Sequence, residues 1–304
     1  MKFEVSKSPY GPDDEIGSLN EITPESRKRA LTGIDPSRVF DLGVEYFIGM
    51  PAWDFVGDPP YQISLTHHPA GMVIDNPMGV SDEVNRYTAY SGDYLTLYTH
   101  TGTHIDALNH FGINGVLWNG FKASEHVGSR NWNVCGVDKH PPIIARGVML
   151  DIAKLKGVDV LEPSYGIGEK DLKDACKAQN VELKKGDIVL IRTGRMRYWP
   201  DHDKYLIDEP GLNLEGAQYL CEQGECMLLG SDNVAMEQLP SKDPDSYLPV
   251  HCYMFNVKGV TMIEVLDLEE LAKEEVYEFA FFGAGIRFKG GTASMIRPFV
   301  MPYL

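Results

Sequence analysis

The sequence predicts a single mixed α/β domain. Short runs rich in β-branched and aromatic residues, typical of strands, outnumber the helical patterns, and several helical patterns lie between two such runs. No internal repeat, low-complexity tract or linker divides the 304 residues. We therefore expect one domain over residues 1–304, whose first 20 residues form an irregular arm.

Helices are predicted where capping signals precede an apolar periodicity. Thr23 followed by Pro24 marks the start of a helix that ends near Leu31. Amphipathic patterns predict two more helices, over residues 168–179 and 213–223. Asp267 is expected to cap a helix over residues 268–273, with Glu270 in the capping-box position.

Strands are predicted at residues 38–48 (broken at Gly43), 61–67, 94–100, 142–152, 188–191, 226–229 and 277–288. We also expect His251 to lie in a strand, and Glu264 to follow a short strand over residues 260–263. Residues 69–93 contain Gly71, Pro77, Gly79 and Gly92, and we interpret them as a long loop, either a lid or a subunit contact.

Composition excludes some classes of function. The chain has 28 Lys and Arg against 44 Asp and Glu, a net charge of −16, which argues against nucleic acid and anionic membrane surfaces as partners. We find neither a signal peptide nor a transmembrane segment. The five cysteines are scattered, which favours reduced thiols in a cytoplasmic protein.

The stretch HTGTHIDALNHF, residues 100–111, carries the strongest functional signal. Thr101, Gly102 and Thr103 are poor helix formers, so His100 and His104 are not expected on one helical face. Gly102 permits a sharp bend after the predicted strand, and residues 104 and 106 point to the same side of an extended segment. This geometry aims His100, His104 and Asp106 at one point.

Two imidazoles and a carboxylate suit a divalent ion such as Zn or Mn, and three protein ligands leave a coordination position open for water. His110, four residues after Asp106, lies close enough to act as a general base. The alternative is that these histidines are merely hydrogen-bonded, which their density beside a glycine turn disfavours.

The same stretch resembles the H-x-G-T-H-x-D-x-x-x-H signature of the cyclase family of metal-dependent hydrolases, which includes bacterial kynurenine formamidase and isatin hydrolase. Residues 51–59, 187–194, 228–232 and 250–264 resemble further family segments in the same order. The resemblance implies a swivelling β/β/α architecture with a central, largely antiparallel sheet, assembled as a homodimer or homotetramer. It also implies that His251 and Glu264 complete a site for one or two ions. Leu108 replaces the proline expected in the kynurenine formamidase motif, which counts against that particular enzyme.

We therefore expect a hydrolase that cleaves an amide, lactam or related carbonyl bond with a metal-activated water. Trp53, Phe55 and Trp199 would select a small aromatic or cyclic substrate, and Ser231 and Asp232, at a strand end, would contribute polar contacts. Two alternatives stay open. His104, Asp106 and His251 could form the triad of a non-haem iron oxygenase, although His100 and His110 would then have no role. The chain could also bind a metal without catalysis. A serine hydrolase is disfavoured because no G-x-S-x-G occurs.

Overall fold

The computed structural model describes residues 3–304, so Met1 and Lys2 of the predicted arm lie outside the described residues. The strands are β1 Phe40–Asp41, β2 Gln62–His67, β3 Gly92–Thr96, β4 His104–Asp106, β5 Ile143–Asp151, β6 Gly166–Ile167, β7 Ile188–Arg192, β8 Gly211–Leu212, β9 Leu228–Ser231, β10 Thr261–Glu264, β11 Glu278–Gly283, β12 Ala293–Met295 and β13 Phe299–Pro302. The α-helices are α1 Pro24–Leu31, α2 Pro69–Asp75, α3 Asp82–Thr88, α4 Ala123–His126, α5 Ile152–Leu155, α6 Glu169–Gln179, α7 His202–Leu206, α8 Leu214–Glu222, α9 Pro249–Cys252 and α10 Glu269–Lys273. Shorter 3₁₀ turns occur at Gly17–Glu21, Trp118–Gly120, Val137–Lys139 and Arg195–Tyr198, and Tyr253–Lys258 form a π-helical segment.

A nine-stranded sheet forms the centre of the molecule, in the order β1-β13-β11-β5-β7-β9-β10-β4-β12. The four middle strands β5, β7, β9 and β10 run parallel, and the pairings outside them are antiparallel. The predicted mixed α/β fold with a largely antiparallel sheet is confirmed. The parallel strands are covered on both faces, which explains their almost continuous apolar sequences.

Alternate side chains of these strands enter two separate apolar layers, as the twofold period of a strand requires. On one face, Val189 and Leu229 pack in the same cluster as Leu172 of α6 and Leu220 of α8. On the other face, Leu190 belongs to a cluster with Ile263 and Phe281. The sheet is thus fixed from both sides.

Strand β4 lies between β10 and β12. The register places Glu264 of β10 directly opposite His104, and Ala293 of β12 opposite Asp106. Directly opposed residues on antiparallel strands have Cβ atoms about 5 Å apart, so their side chains can meet. Sheet pairing alone therefore brings His104 and Glu264 together.

The predicted long loop over residues 69–93 is wrong in detail, because α2, α3 and the start of β3 occupy it. The ring of His68 accepts a hydrogen bond from the N–H of Gly71, and the hydroxyl of Ser81 accepts one from Val84, so each helix has an N-cap. Strands β2 and β3 pair with each other outside the main sheet. These strands and helices form a separate unit at residues 62–96, which we call the β2–β3 arm.

The predicted helices at α1, α6 and α8 are confirmed, as are the strands β5, β7 and β10. The prediction of a strand at His251 is wrong: this residue lies in α9, where Glu237 accepts hydrogen bonds from the N–H groups of Val250 and His251. A carboxylate far away in sequence satisfies the start of this helix, and no local pattern reveals it.

Several predicted boundaries were also wrong. The strand predicted over residues 38–48 is reduced to Phe40–Asp41. Strand β3 ends at Thr96, so His100 lies in the following turn, and β11 ends at Gly283. Helix α10 begins after Leu268 without a side-chain cap, although Asp267 accepts a hydrogen bond from the N–H of Glu269.

Candidate metal centre

The turn between His100 and His104 depends on Gly102, whose φ is +62°. A Cβ atom at this position would lie 2.7 Å from Cζ of Tyr46. The Tyr46 hydroxyl is itself held 2.8 Å from the carbonyl oxygens of both Thr101 and Thr103. Conformation and space therefore both require glycine here.

The carbonyl oxygen of Gly102 accepts a hydrogen bond from Nδ1 of His104 at 2.8 Å. This bond fixes the tautomer, so Nε2 of His104 carries the free electron pair. Nε2 lies 3.1 Å from Oε2 of Glu264 and 3.4 Å from Oδ1 of Asp106. All three side chains are buried.

His100 approaches the same carboxylate from the turn. Its Nδ1 lies 2.8 Å from Oδ1 of Asp106, and its Nε2 lies 3.0 Å from the hydroxyl of Thr292. His110 lies on the other side of Asp106, with Nε2 3.8 Å from Oδ2. The rings of His100 and His110 have their centroids 3.9 Å apart and are tilted by 33° to each other.

His251 enters from α9. Its Nδ1 donates to Oε1 of Glu237 at 2.6 Å, which turns Nε2 towards Oε1 of Glu264 at 3.5 Å. The structure thus gathers all six residues that the sequence analysis assigned to the metal site or to proton transfer: His100, His104, Asp106, His110, His251 and Glu264.

The donor atoms of this cluster fit a divalent cation. Within residues 3–304, Nε2 of His104, both carboxylate oxygens of Asp106 and Oε1 of Glu264 are buried without a hydrogen-bond partner. Buried polar atoms without partners are costly, and imidazole and carboxylate together suit Zn, Mn or Fe. Two sets of donor atoms lie within 4.8 Å of one another: one from His100, Asp106 and His110, the other from His104, Asp106 and Glu264. Asp106 belongs to both sets, and His251 to neither.

The electrostatics of the cluster favour added positive charge. Burial lowers the pKa of His104, but the neighbouring carboxylates of Asp106 and Glu264 outweigh it and raise the pKa to about 10. For His251 burial is likewise outweighed, by Glu237 and Glu264, and its pKa rises to about 10. Burial would raise the pKa of Asp106, yet His100 and His110 hold it well below its usual range. Without an ion these carboxylates attract protons onto the imidazoles, and a divalent cation would meet the same demand.

A cavity of about 320 Å³ opens onto the cluster. Its walls are mainly apolar, and they are formed by Trp53, Val56, Tyr98, His100, His110, Phe111, Val234, Ala235, Tyr247, Leu248, His251 and Glu264. A concave apolar site with a few convergent polar groups is the usual form of a small-molecule site.

The other predicted substrate contacts are placed elsewhere. Phe55 packs edge-on against Trp53 but lines a neighbouring cavity, and Trp199 packs between Phe47 and Tyr205. Ser231 and Asp232 are fully buried and do not line the cavity.

Internal hydrogen bonds occupy both of these strand-end residues. The Ser231 hydroxyl donates to Asn233, and Asp232 accepts hydrogen bonds from Thr193 and Gly194. Burial raises the pKa of Asp232 to about 6, although Thr193 opposes the shift. These contacts describe a buried structural network.

Sequence reasoning missed Glu237 and Thr292, which orient His251 and His100, and the cavity walls Tyr247 and Leu248. No motif includes Glu237 or Thr292, whereas Tyr247 and Leu248 could have been found, because they lie just before His251. Phe111 could have been found, because it directly follows His110 in the motif.

None of the helices within residues 3–304 combines the length and apolar character needed to cross a membrane.

Comparisons with known proteins identify chains that are similar over most of this chain's length. A solved structure described as a novel cyclase is 27% identical and covers 96% of this chain and 95% of its own, with a TM-score of 0.83. Isatin hydrolase A from Ralstonia solanacearum is 19% identical, with 87% of this chain and 92% of that one covered and a TM-score of 0.66, a likeness of fold. Cyclase-like protein 3 of Oryza sativa subsp. japonica is 23% identical over 296 residues, which cover 96% of this chain and 89% of the relative.

The model of the Cyclase family, described as "Putative cyclase", matches residues 40–238. This range includes the whole His100–His110 motif and more than half of the chain, so the protein belongs to the Cyclase family.

Proposed function

We propose that the chain is a metal-dependent hydrolase that cleaves an amide, lactam or related carbonyl C–N or C–O bond of a small aromatic or cyclic substrate. One observation carries this proposal: imidazole and carboxylate atoms are buried without partners beside an apolar cavity, and Glu264 belongs both to this cluster and to the cavity wall. The similarity in fold to isatin hydrolases supports it.

His100, His104, Asp106 and Glu264 would hold one divalent ion, Zn or Mn, or two ions that share Asp106. His251 contacts Glu264 and would either orient Glu264 or bind the ion itself. When bound, such an ion lowers the pKa of a coordinated water to about 7 and polarises a carbonyl oxygen.

His110 would transfer the proton. Its side chain is 21% exposed, against 1% for His104, and it lies on the cavity wall where the substrate would reach it. Burial and the neighbouring His100 lower the pKa of His110, which leaves Nε2 neutral and able to accept a proton from the attacking water. The same nitrogen would then return the proton to the leaving group. Trp53 and Phe111 would position a flat ring and exclude bulk water.

Neither set of clustered donors unites His104, Asp106 and His251, so the geometry gives the iron oxygenase no specific support. The remaining alternative is a protein that binds the metal without catalysis, and an experiment must distinguish it from the proposed hydrolase.

The test combines metal analysis and turnover. Protein purified without chelator should contain a divalent metal and hydrolyse a member of a panel of aryl formamides, isatin-like lactams and small lactones. His104→Ala or Asp106→Ala should remove most of the metal and all detectable hydrolysis, since each deletes a donor at the centre of the cluster. Asp203→Ala, at a side chain that is 85% exposed, is the control and should change neither quantity. Full metal occupancy in both cluster variants would overturn the ligand assignment, and metal without turnover on any substrate would favour the silent protein.

The homodimer or homotetramer and the cytoplasmic location stay predictions. The β2–β3 arm exposes large apolar side chains, among them Leu65, Ile74 and Tyr87. Contact with a second copy of the chain would account for this exposed surface. Light scattering on the purified protein would give the mass of the particle in solution, and a monomer at micromolar concentration would contradict the predicted oligomer.

A further inference from the structure

A second cavity, of about 350 Å³, adjoins the metal-centre cavity. The two share three wall residues, Trp53, Tyr247 and Leu248. We call the second cavity the side chamber. Its remaining walls are Phe55, Leu206, Ile207, Leu239, Pro240 and Ser241.

The chemistry of the side chamber is apolar. Among the wall residues that the structure describes, Tyr247 and Ser241 carry hydroxyls, and the Ser241 hydroxyl accepts a hydrogen bond from the backbone N–H of Asp243. Among residues 3–304, no charged side chain belongs to the wall. Phe55 and Ile207 are each more than half exposed, so apolar surface faces solvent inside a concavity. Such a surface favours an uncharged, apolar occupant.

The wall is tethered to the interior. Arg195 is buried and donates to the carbonyl oxygens of Tyr205 and Ile207, at either side of Leu206. The N–H of Leu239 donates to the carbonyl oxygen of Glu209 at 2.9 Å. Both sides of the chamber are therefore held in place before any ligand arrives, which lowers the entropic cost of binding.

We propose that the side chamber binds an apolar or aromatic substituent of the substrate whose scissile carbonyl lies at the metal centre. This inference rests on the proposed function and narrows its substrate class. The metal-centre cavity alone is at the lower end of the range of roughly 300–1,000 Å³ for small-molecule sites, and the two cavities together reach its middle. The substrate would thus be an amide, lactam or lactone that carries a second apolar group, such as a phenyl ring or a short alkyl chain.

Two substrate series test this proposal: formanilides with a para-alkyl group from hydrogen to butyl, and anilides with acyl groups from formyl to pentanoyl. Burial of each methylene should raise kcat/KM about fourfold, which is roughly 10²-fold over four methylenes. At least one series should show this rise. Ile207→Trp fills the chamber from an exposed position and should abolish the rise.

Ile286→Trp is the matched control, because Ile286 is 51% exposed and Ile207 52%. It should leave the chain-length dependence intact. Calorimetric titration of the metal-free protein with formanilide and with its para-butyl derivative gives a readout independent of turnover. The butyl derivative should bind tighter by a similar factor, and Ile207→Trp should remove the difference.

The outcomes separate the two proposals. Hydrolysis that does not change with chain length in either series would overturn the side chamber and leave the hydrolase standing. Chain-length-dependent binding that Ile207→Trp removes, without turnover of any substrate, would support the chamber and overturn the hydrolase. An equal effect of Ile207→Trp and Ile286→Trp would overturn the chamber, because the loss would not be specific to its wall.

Discussion

Replacement of Gly102 by alanine should damage the metal centre through its backbone turn. The added Cβ would lie 2.7 Å from Cζ of Tyr46 and 2.9 Å from Cε of Met50. The Tyr46 ring cannot move away without lengthening the contacts of its hydroxyl with the carbonyl oxygens of Thr101 and Thr103. The turn must therefore shift, and with it the Gly102 carbonyl that holds His104.

The chain offers a matched control for the size of this effect. Gly115 has a similar left-handed φ, +73° against +62° for Gly102, but a Cβ there would meet nothing within 4 Å. Gly115→Ala should cost only the left-handed conformation, about 1–2 kcal/mol of the free energy of unfolding. Gly102→Ala should add overpacking of about 1–3 kcal/mol to that cost.

Urea denaturation of the two metal-free variants measures the difference in their free energies of unfolding. Competition with a chelating indicator measures their metal affinity. We expect Gly102→Ala to weaken metal binding by roughly 10–100-fold, the usual effect of disturbing a group that orients a ligand. Gly115→Ala should leave metal binding unchanged. Equal losses of stability in the two variants, with metal affinity intact in both, would refute the reasoning.

Three further predictions concern single side chains. His110→Ala should keep the metal near wild-type occupancy while turnover falls by roughly 10²–10⁴-fold and the pH–rate profile loses a limb. Metal content, melting temperature and turnover, measured on one preparation, distinguish the possible roles of His110. Loss of metal would identify His110 as a ligand, and a lower melting temperature with an unchanged rate would identify a purely structural role. Glu237→Ala should lower metal affinity roughly 10–100-fold by releasing His251, and an unchanged affinity in the indicator assay would exclude that role. Burial raises the pKa of Glu209 from 4.5 to about 8, so the stability contributed by its protonated form is complete below pH 4.5 and lost as the pH rises through 8. Wild type should therefore lose more stability than Glu209→Gln between pH 5 and pH 8.5 in urea titrations, and parallel losses would contradict this.

The sequence predicted the metal centre where local chain geometry determines it. The turn at Gly102 and the alternation of His104 and Asp106 along β4 follow from glycine conformation and strand periodicity, and both are present in the structure. The parallel middle of the sheet was not foreseen, although continuous apolar runs such as residues 188–191 are typical of it.

The features of the site that the sequence did not predict depend on contacts between segments that are not adjacent in the chain. The helix that carries His251 starts on the carboxylate of Glu237, and the side chamber joins the segments around Trp53, Ile207, Leu239 and Tyr247. Ser231 and Asp232 were expected to contact the substrate because they end a strand, but the hydrogen-bond partners of their side chains come from residues 193–194 and 233. Only tertiary packing decides whether a polar group at a strand end faces a cavity or the interior.

The register of β4 against β10 has a consequence for folding. Because successive side chains of a strand point to opposite faces, a slip of one residue would turn Glu264 away from His104. Both residues come from segments about 160 positions apart in the chain, so this half of the centre cannot exist until the sheet has closed around β4. An ion that binds only the native pairing would oppose its opening by a free energy that grows with ion concentration. Metal supply would then act on the lifetime of the folded chain as well as on its chemistry.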